Sequence, residues 1–104
     1  MKNRISLGFA AIAASVALTA GAAAAYQGQQ LAGQAKVSIS QARAIALKAV
    51  PGGKIVDQEL EREPGGSGLR YSFDVKIHKQ TREVGVDAET GKILENSVEG
   101  ANPD

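Results

Sequence analysis

The 104-residue sequence contains no cysteine and a single histidine, His78. Disulfides are therefore excluded, and so is a lipid-modified N-terminal cysteine. Metal centres of the zinc type are built largely from cysteine and histidine, so that only carboxylates remain as candidate ligands. His78 lies beside Lys79 in a predicted hairpin turn, where a solvated side chain is expected rather than a catalytic base. We accordingly expect no catalytic residues, no metal site and no cofactor.

The sequence also has no excess of charge of one sign. Twelve basic residues stand against eleven acidic ones, which gives a formal net charge of +1. A domain that binds nucleic acid would be strongly basic, with its lysines and arginines clustered. Neither condition is met, and we expect no nucleic-acid partner. The length allows one domain and is too short for two.

One long uncharged stretch is present, at the N-terminus. Lys2 and Arg4 form a basic head, and the 21 residues that follow carry no charge. The stretch ends in four alanines, of which Ala23 and Ala25 fit the small-x-small pattern required by a signal peptidase. Residues 1–25 are therefore predicted to be a cleavable signal peptide. The mature protein would then be periplasmic or secreted, without stable membrane insertion.

An uncleaved membrane anchor is the alternative interpretation of the same stretch. Twenty-one uncharged residues can span a bilayer core of about 30 Å as a helix. Alanine contributes little to insertion, however, and the cleavage pattern favours removal. Without residues 1–25, ten basic residues face eleven acidic ones, so that the mature net charge is about −1.

The mature chain begins with a polar segment and continues into an amphipathic helix. Residues 26–37 are rich in Gln, Gly and Ala without apolar periodicity, which predicts a flexible tether. Ser38 and Gln41 have the spacing of a capping box, so that a helix is expected from Ser38 to the Pro51-Gly52-Gly53 stop. The apolar stripe of this helix consists of Ile39, Ala42, Ile45, Ala46 and Ala49.

Four extended segments follow the helix. They are residues 54–63, 69–77, a third run with Arg82, Val84 and Val86 on one face, and 92–98. In the first segment, Val56 and Leu60 are in phase and are predicted to face the core. Asp87, Ala88, Glu89, Thr90 and Gly91 fit a type I turn closed by a glycine with positive φ.

The alternation of apolar and polar residues predicts strands that are buried on one side only. Such strands, joined by short connections, form an antiparallel meander, and the amphipathic helix is the one available cover for its apolar face. We therefore predict an α+β fold in which an N-terminal amphipathic helix packs on a four-stranded antiparallel β-meander. The domain would occupy residues 38–99, and residues 100–104 would form a C-terminal tail.

Five blocks of sequence, in this order, resemble a PepSY domain. They are residues 42–47, 51–54, 59–63, 71–75 and 83–94, of which the last is the most specific. The resemblance implies a helix followed by an antiparallel sheet, in exported or membrane-associated bacterial proteins. It also implies a relation to propeptides of secreted metallopeptidases, where such domains restrain or assist the protease. The family carries no catalytic residues that could be transferred to this chain.

Acidic residues recur on one face of the first predicted strand: Asp57, Glu59, Glu61 and Glu63. One hypothesis is a docking stripe for a basic partner protein. The alternative, which we favour, is neutralisation by Arg70 and Lys76 on the neighbouring strand, through cross-strand pairs. Lys76 and Glu83 would pair likewise across the next hairpin.

The sequence therefore predicts an exported, non-catalytic module that binds a protein, acting as a modulator or inhibitor of an extracytoplasmic peptidase. The alternative is an accessory domain of a cell-envelope system that senses a small ligand or a metal ion. An open meander leaves two sheet edges, to which an extended peptide can add through main-chain hydrogen bonds. The acidic face of the first strand is expected to protect its own edge.

Overall fold

The computed structural model describes residues 25–100. The predicted signal peptide, apart from its last residue, and the tail beyond Gly100 lie outside the described residues. A short 3₁₀ helix (Gln29–Gln34) precedes helix α1 (Ile39–Ala49), and four strands follow: β1 (Lys54–Arg62), β2 (Leu69–Ile77), β3 (Gln80–Asp87) and β4 (Ile93–Val98). The strands form one antiparallel sheet in the order β1-β2-β3-β4, with α1 against one face. The predicted architecture of one helix on a four-stranded meander is confirmed.

Helix α1 begins at the predicted cap. The Gln41 N–H donates to Ser38 Oγ at 3.1 Å, and the Ser38 N–H donates to Gln41 Oε1 at 2.8 Å. This reciprocal pair satisfies two N–H groups that have no partner within the helix. Ala42 and Ala46 are completely buried. Their small side chains allow the helix to lie close to the sheet. No helix among residues 25–100 has the length and hydrophobicity needed to cross a bilayer.

The core lies between α1 and one face of the sheet. Its other buried apolar residues are Val50, Leu60, Leu69, Tyr71, Phe73, Val75, Val84, Val86 and Ala88. The rings of Tyr71 and Phe73 stack with centroids 6.3 Å apart, and the Tyr71 hydroxyl donates to the Val37 carbonyl at 2.7 Å. Burial, with a smaller contribution from Tyr26, raises the pKa of Tyr71 to about 12. The tyrosine therefore stays neutral and keeps its hydrogen bond.

The prediction that Val56 faces the core is wrong. The pairing of β1 with β2 shifts between Ile55 and Asp57, which is the signature of a β-bulge. One extra residue reverses the facing of everything that precedes it. Ile55 packs against the core instead, and Val56 is 54% exposed at the sheet edge. The period-two pattern of the sequence contains no sign of this insertion.

The structure also differs from the expected tether over residues 26–37. The Leu60 N–H donates to the Gln27 carbonyl at 2.8 Å, which joins this segment to the outer edge of β1. Farther along, the N–H groups of Lys36 and Val37 both donate to the Ala88 carbonyl at 2.9 Å. The residues of the segment that pack against the core are Tyr26, Leu31, Ala32, Ala35 and Val37. The segment is therefore part of the folded domain, held largely by main-chain bonds that side-chain patterns do not reveal.

The predicted turn between β3 and β4 is confirmed. It begins at Asp87, whose side chain accepts hydrogen bonds from the turn and from Ser67. Gly91 has φ +82°, and its N–H donates to the Asp87 carbonyl at 2.9 Å. The Asp87 side chain is 2% exposed. It accepts hydrogen bonds from Ser67 Oγ and N–H at 2.7 and 2.8 Å, and from the N–H groups of Glu89 and Thr90 at 2.8 and 3.3 Å. Burial alone would raise the pKa of Asp87, but these donors outweigh it and lower the pKa to about 2.

We predict that Asp87→Asn makes the protein less stable and less sensitive to acid. A carboxylate with a pKa of about 2 when folded and about 3.9 when unfolded stabilises the fold above pH 4. That stability is lost as the pH falls towards 2. The expected decrease in the free energy of unfolding at pH 7 is about 2 kcal/mol. Urea denaturation at pH 7 and at pH 3 measures it. Glu89→Gln, an exposed change in the same turn, is the control, and an equal pH dependence of Asp87→Asn and wild type would contradict the role assigned to Asp87.

A second prediction concerns Gly28, which has φ +87° where the N-terminal segment meets β1. A side chain there would overlap the Leu60 carbonyl. Gly28→Ala should therefore release the segment and accelerate exchange of the Leu60 amide proton with solvent, as NMR can measure. Gly33→Ala is the matched control, because a Cβ at Gly33 meets no atom within 4 Å. Equal Leu60 exchange rates in the two variants would show that the segment is not held at this point.

Candidate functional site

The face of the sheet that points away from α1 is rich in carboxylates. Its acidic residues, together called the acidic face, are Asp57, Glu59, Glu61, Glu63, Asp74, Glu83, Glu95 and Glu99. All four strands contribute, because the meander places the outward residues of neighbouring strands side by side. A hollow of 170 Å³ lies among six of these carboxylates and Ser72.

A row of three carboxylates crosses the acidic face without an intervening cation. Asp57 of β1 lies opposite Asp74 of β2, and Asp74 lies opposite Glu83 of β3. Like charges directly opposite one another on adjacent strands destabilise a sheet. Burial, followed by the charges of Glu99 and Asp57, raises the pKa of Asp74. Burial, followed by the charges of Glu95, Glu99 and Asp74, raises the pKa of Glu83. The row therefore holds more negative charge than its surroundings compensate.

The carboxylates of Glu59, Glu61 and Glu63, along β1 and just past its end, influence the pKa values of one another. Glu61 accepts a hydrogen bond from Ser72 Oγ at 2.7 Å. Although burial alone would raise the pKa of Glu61, the bond from Ser72 and bonds with Glu59 and Glu63 lower it. The same bonds with Glu61 raise the pKa of Glu59 and of Glu63. On acidification Glu61 is therefore expected to keep its charge to a lower pH than Glu59 and Glu63 do.

Arg70 neutralises one end of the acidic face, as predicted. Its side chain is almost fully buried, with Nη1 at 3.5 Å from Glu95 Oε1 and 4.0 Å from Glu63 Oε2. Nη2 donates to the Pro64 carbonyl at 3.3 Å. Gly85 makes room for the guanidinium, since a Cβ at that position would lie 3.1 Å from Nη1. The neutralisation reaches the end of β1 and the beginning of β4 but not the row of three carboxylates.

Lys76 does not have the role predicted for it. The sheet register places it opposite Lys54 and Thr81, while Glu83 lies opposite Asp74. Within residues 25–100 the ion pairs closer than 4.0 Å involve Arg70 and Lys36, and Lys76 forms none. The predicted Lys76–Glu83 pair is therefore wrong, because the hairpin turn is two residues long and sets a different register. Neutralisation of the acidic stripe is confirmed for Arg70 and fails for Lys76.

Chemically, this arrangement suits the binding of cations rather than catalysis. Asp74, Glu83 and Glu99 each offer one oxygen, with the three oxygens within 4.8 Å of one another. Ser72 donates to Glu61, but a carboxylate with a lowered pKa is a weak base and does not activate a hydroxyl. His78 is exposed in the β2–β3 turn, outside the acidic face. Basic side chains of another molecule are the natural complement of the carboxylates.

The sequence analysis identified the half of the acidic face that belongs to β1. Asp57, Glu59 and Glu61 share that face with Arg70, as expected, and Glu63 follows the end of β1. The carboxylates that it missed belong to other strands: Asp74, Glu83, Glu95 and Glu99. Superimposing the alternation of all four strands would have found the first two. A second register shift, between Gly85 and Val86, sets the facing of β4 and has no sequence signal.

Comparison with known proteins gave one match. The family model described as "Peptidase propeptide and YPEB domain" matches residues 36–96, which is more than half of the chain. The matched range contains α1 and the four strands except for the last two residues of β4. No curated protein and no solved structure matched the chain.

We predict that Asp74→Asn stabilises the protein at neutral pH. Because the pKa of Asp74 is raised in the folded state, its ionised form costs stability at pH 7, and the cost disappears as the pH falls. The expected gain in the free energy of unfolding is about 0.5 kcal/mol at pH 7, shrinking with acid and with salt. Chemical denaturation at pH 7 and pH 4 measures it, with Glu89→Gln as the control outside the row. If Asp74→Asn were less stable than wild type at pH 7, the conclusion that the charge of the row is uncompensated would be wrong.

Proposed function

Because this chain belongs to the PepSY family, we propose that it is an exported, non-catalytic module that binds an extracytoplasmic peptidase and modulates it. The family description names peptidase propeptides, and domains of this kind are typically non-catalytic regulatory modules of exported proteins. The sequence pattern of residues 1–25 supports export. The periplasm or the extracellular space is accordingly the proposed location.

The observation that carries the proposal is the acidic face. Three carboxylates, Asp57, Asp74 and Glu83, lie side by side on three strands without a cation among them. Surfaces that retain uncompensated charge of one sign at a cost in stability are suited to binding a partner of the opposite sign. We assign the partner a basic surface. Its positive charges would neutralise the three carboxylates and would accelerate the association of the two proteins. Arg70 would hold the neighbouring end of the face rigid.

A second candidate function is an accessory domain that senses a divalent cation for a cell-envelope system. It is favoured by the convergence of Asp74, Glu83 and Glu99, since carboxylate oxygens are the ligands preferred by Ca²⁺. A native-state ligand raises the melting temperature in a concentration-dependent way. A rise in millimolar Ca²⁺ that is abolished in Glu83→Gln would favour this candidate over the first.

The test of the leading proposal is capture followed by inhibition. Residues 26–104 serve as bait for cross-linking in periplasmic and secreted fractions, and each recovered peptidase is assayed with and without the purified protein. We expect a peptidase whose activity changes, and we expect the double variant Glu59→Lys/Glu61→Lys to bind it at least about tenfold more weakly. Reversal of charge at Glu89, which lies outside the acidic face, is the matched control.

Circular dichroism establishes that both variants are folded before binding is compared. Unchanged affinity of the folded double variant would remove the acidic face from the binding surface. Recovery of no peptidase, or of peptidases whose activity the protein leaves unchanged, would overturn the proposed function.

A further inference from the structure

The two edges of the sheet, formed by β1 and β4, differ in how far their outward main-chain groups are already hydrogen-bonded. At the β1 edge, the outward N–H of Leu60 donates to the Gln27 carbonyl at 2.8 Å. The outward N–H of Gln58 donates to Asp57 Oδ1 at 2.9 Å. The bulge at Val56 interrupts the beginning of this edge. Native sheets prevent unwanted strand addition by covering or bending an edge, and β1 shows both devices.

The outer edge of β4 remains open. The Glu99 N–H donates to the Thr81 carbonyl at 2.7 Å, so that Glu99 points towards β3. Main-chain groups alternate between the two sides of a strand. The N–H groups of Asn96 and Val98 therefore point away from the sheet. Within the part of the chain that the structure describes, neither N–H group donates a hydrogen bond, whereas the Asn96 carbonyl accepts one from Arg82 Nη2 at 3.1 Å.

The sequence of β4 offers little protection of this edge. The strand contains neither lysine nor proline, the residues that commonly prevent pairing. The register shift opposite Gly85 and Val86 places a bulge near its beginning, whereas Glu95 to Val98 pair regularly with β3. The outward N–H groups of Asn96 and Val98 are therefore available to one more strand, whereas the Asn96 carbonyl already accepts from Arg82.

The side chains along β4 specify what kind of strand would fit. Glu95 and Glu99 belong to the acidic face, and Glu99 lies close to Asp74 and Glu83. On the opposite side of the sheet, Ile93 is 41% exposed and Val98 is half-buried. A neighbouring strand would present successive side chains alternately to the carboxylates and to the two apolar residues.

We propose that the outer edge of β4 binds an extended segment of the partner protein, with alternating basic and apolar side chains, as a fifth strand of the sheet. The N–H groups of Asn96 and Val98 would supply the main-chain bonds, and Glu95 and Glu99 would pair with the basic side chains. This inference rests on the proposed function, in that the chain binds a protein. It adds the mode of binding and the chemistry of the bound segment.

The experiment uses a synthetic heptapeptide of alternating lysine and valine, blocked at both ends, and ¹⁵N-labelled residues 26–104. We expect binding to slow the exchange of the Asn96 and Val98 amide protons about tenfold or more, without comparable slowing along residues 54–57 of β1. The same peptide, methylated on the alternate backbone nitrogens that would face β4, keeps its charge but loses those donors, and it should not bind. Glu95→Lys should weaken binding about tenfold, and Glu89→Lys should leave it unchanged.

Two results would overturn the inference. One is the absence of binding by the lysine–valine peptide. The other is binding that survives methylation and leaves the exchange of Asn96 and Val98 unchanged, because the peptide would then sit on the acidic face through charge alone. In either case peptidase capture through Glu59 and Glu61 can still succeed, so that failure of edge addition is distinguishable from failure of the proposed function.

Discussion

Four hydrogen bonds converge on the buried carboxylate of Asp87, and the segments that they join hold the two middle strands, the last turn and the entry to α1 together. Two of them come from Ser67 in the loop before β2, and two from the turn that leads into β4. The next residue, Ala88, accepts from Lys36 and Val37 at the entry to α1 and donates to the Leu69 carbonyl. Two consecutive residues thus connect the helix, β2 and β4. A buried charge is tolerated here because its donors are fixed main-chain and hydroxyl groups rather than a mobile cation.

Much of the fold could be predicted because it is determined by interactions between residues that are close in the sequence. The Ser38–Gln41 capping box, the alternation from Leu69 to Ile77 and the turn at Asp87–Gly91 each depend on neighbours within a few residues. What could not be predicted depends on backbone contacts between distant segments. The bulge at Val56 leaves the apolar pattern unchanged, and the docking of Gln27 against Leu60 uses main-chain atoms that every residue possesses.

The candidate site was predictable to the extent that it lies on one strand. Asp57, Glu59 and Glu61 were recognised because they alternate along β1. The compensation expected from Lys76 required the β2–β3 register, which the two-residue turn at His78 and Lys79 determines. With that register, Lys76 faces Lys54 and Asp74 faces two other carboxylates. A change of two residues in the length of one turn therefore decides whether Lys76 or Asp74 lies opposite Glu83, and composition alone does not indicate which.

The inequality of the two edges limits how copies of this chain can assemble. A polymer of sheets grows only if each unit offers two pairing edges, one to receive the preceding copy and one to receive the next. Here the Gln27 carbonyl and the Asp57 side chain already occupy two outward donors of β1, those of Leu60 and Gln58. In the terms of polymer chemistry, the molecule has one readily reactive end, which is the edge of β4. Two copies that pair through their β4 edges would leave only the partly covered and bulged β1 edges outermost, which disfavours growth into fibres.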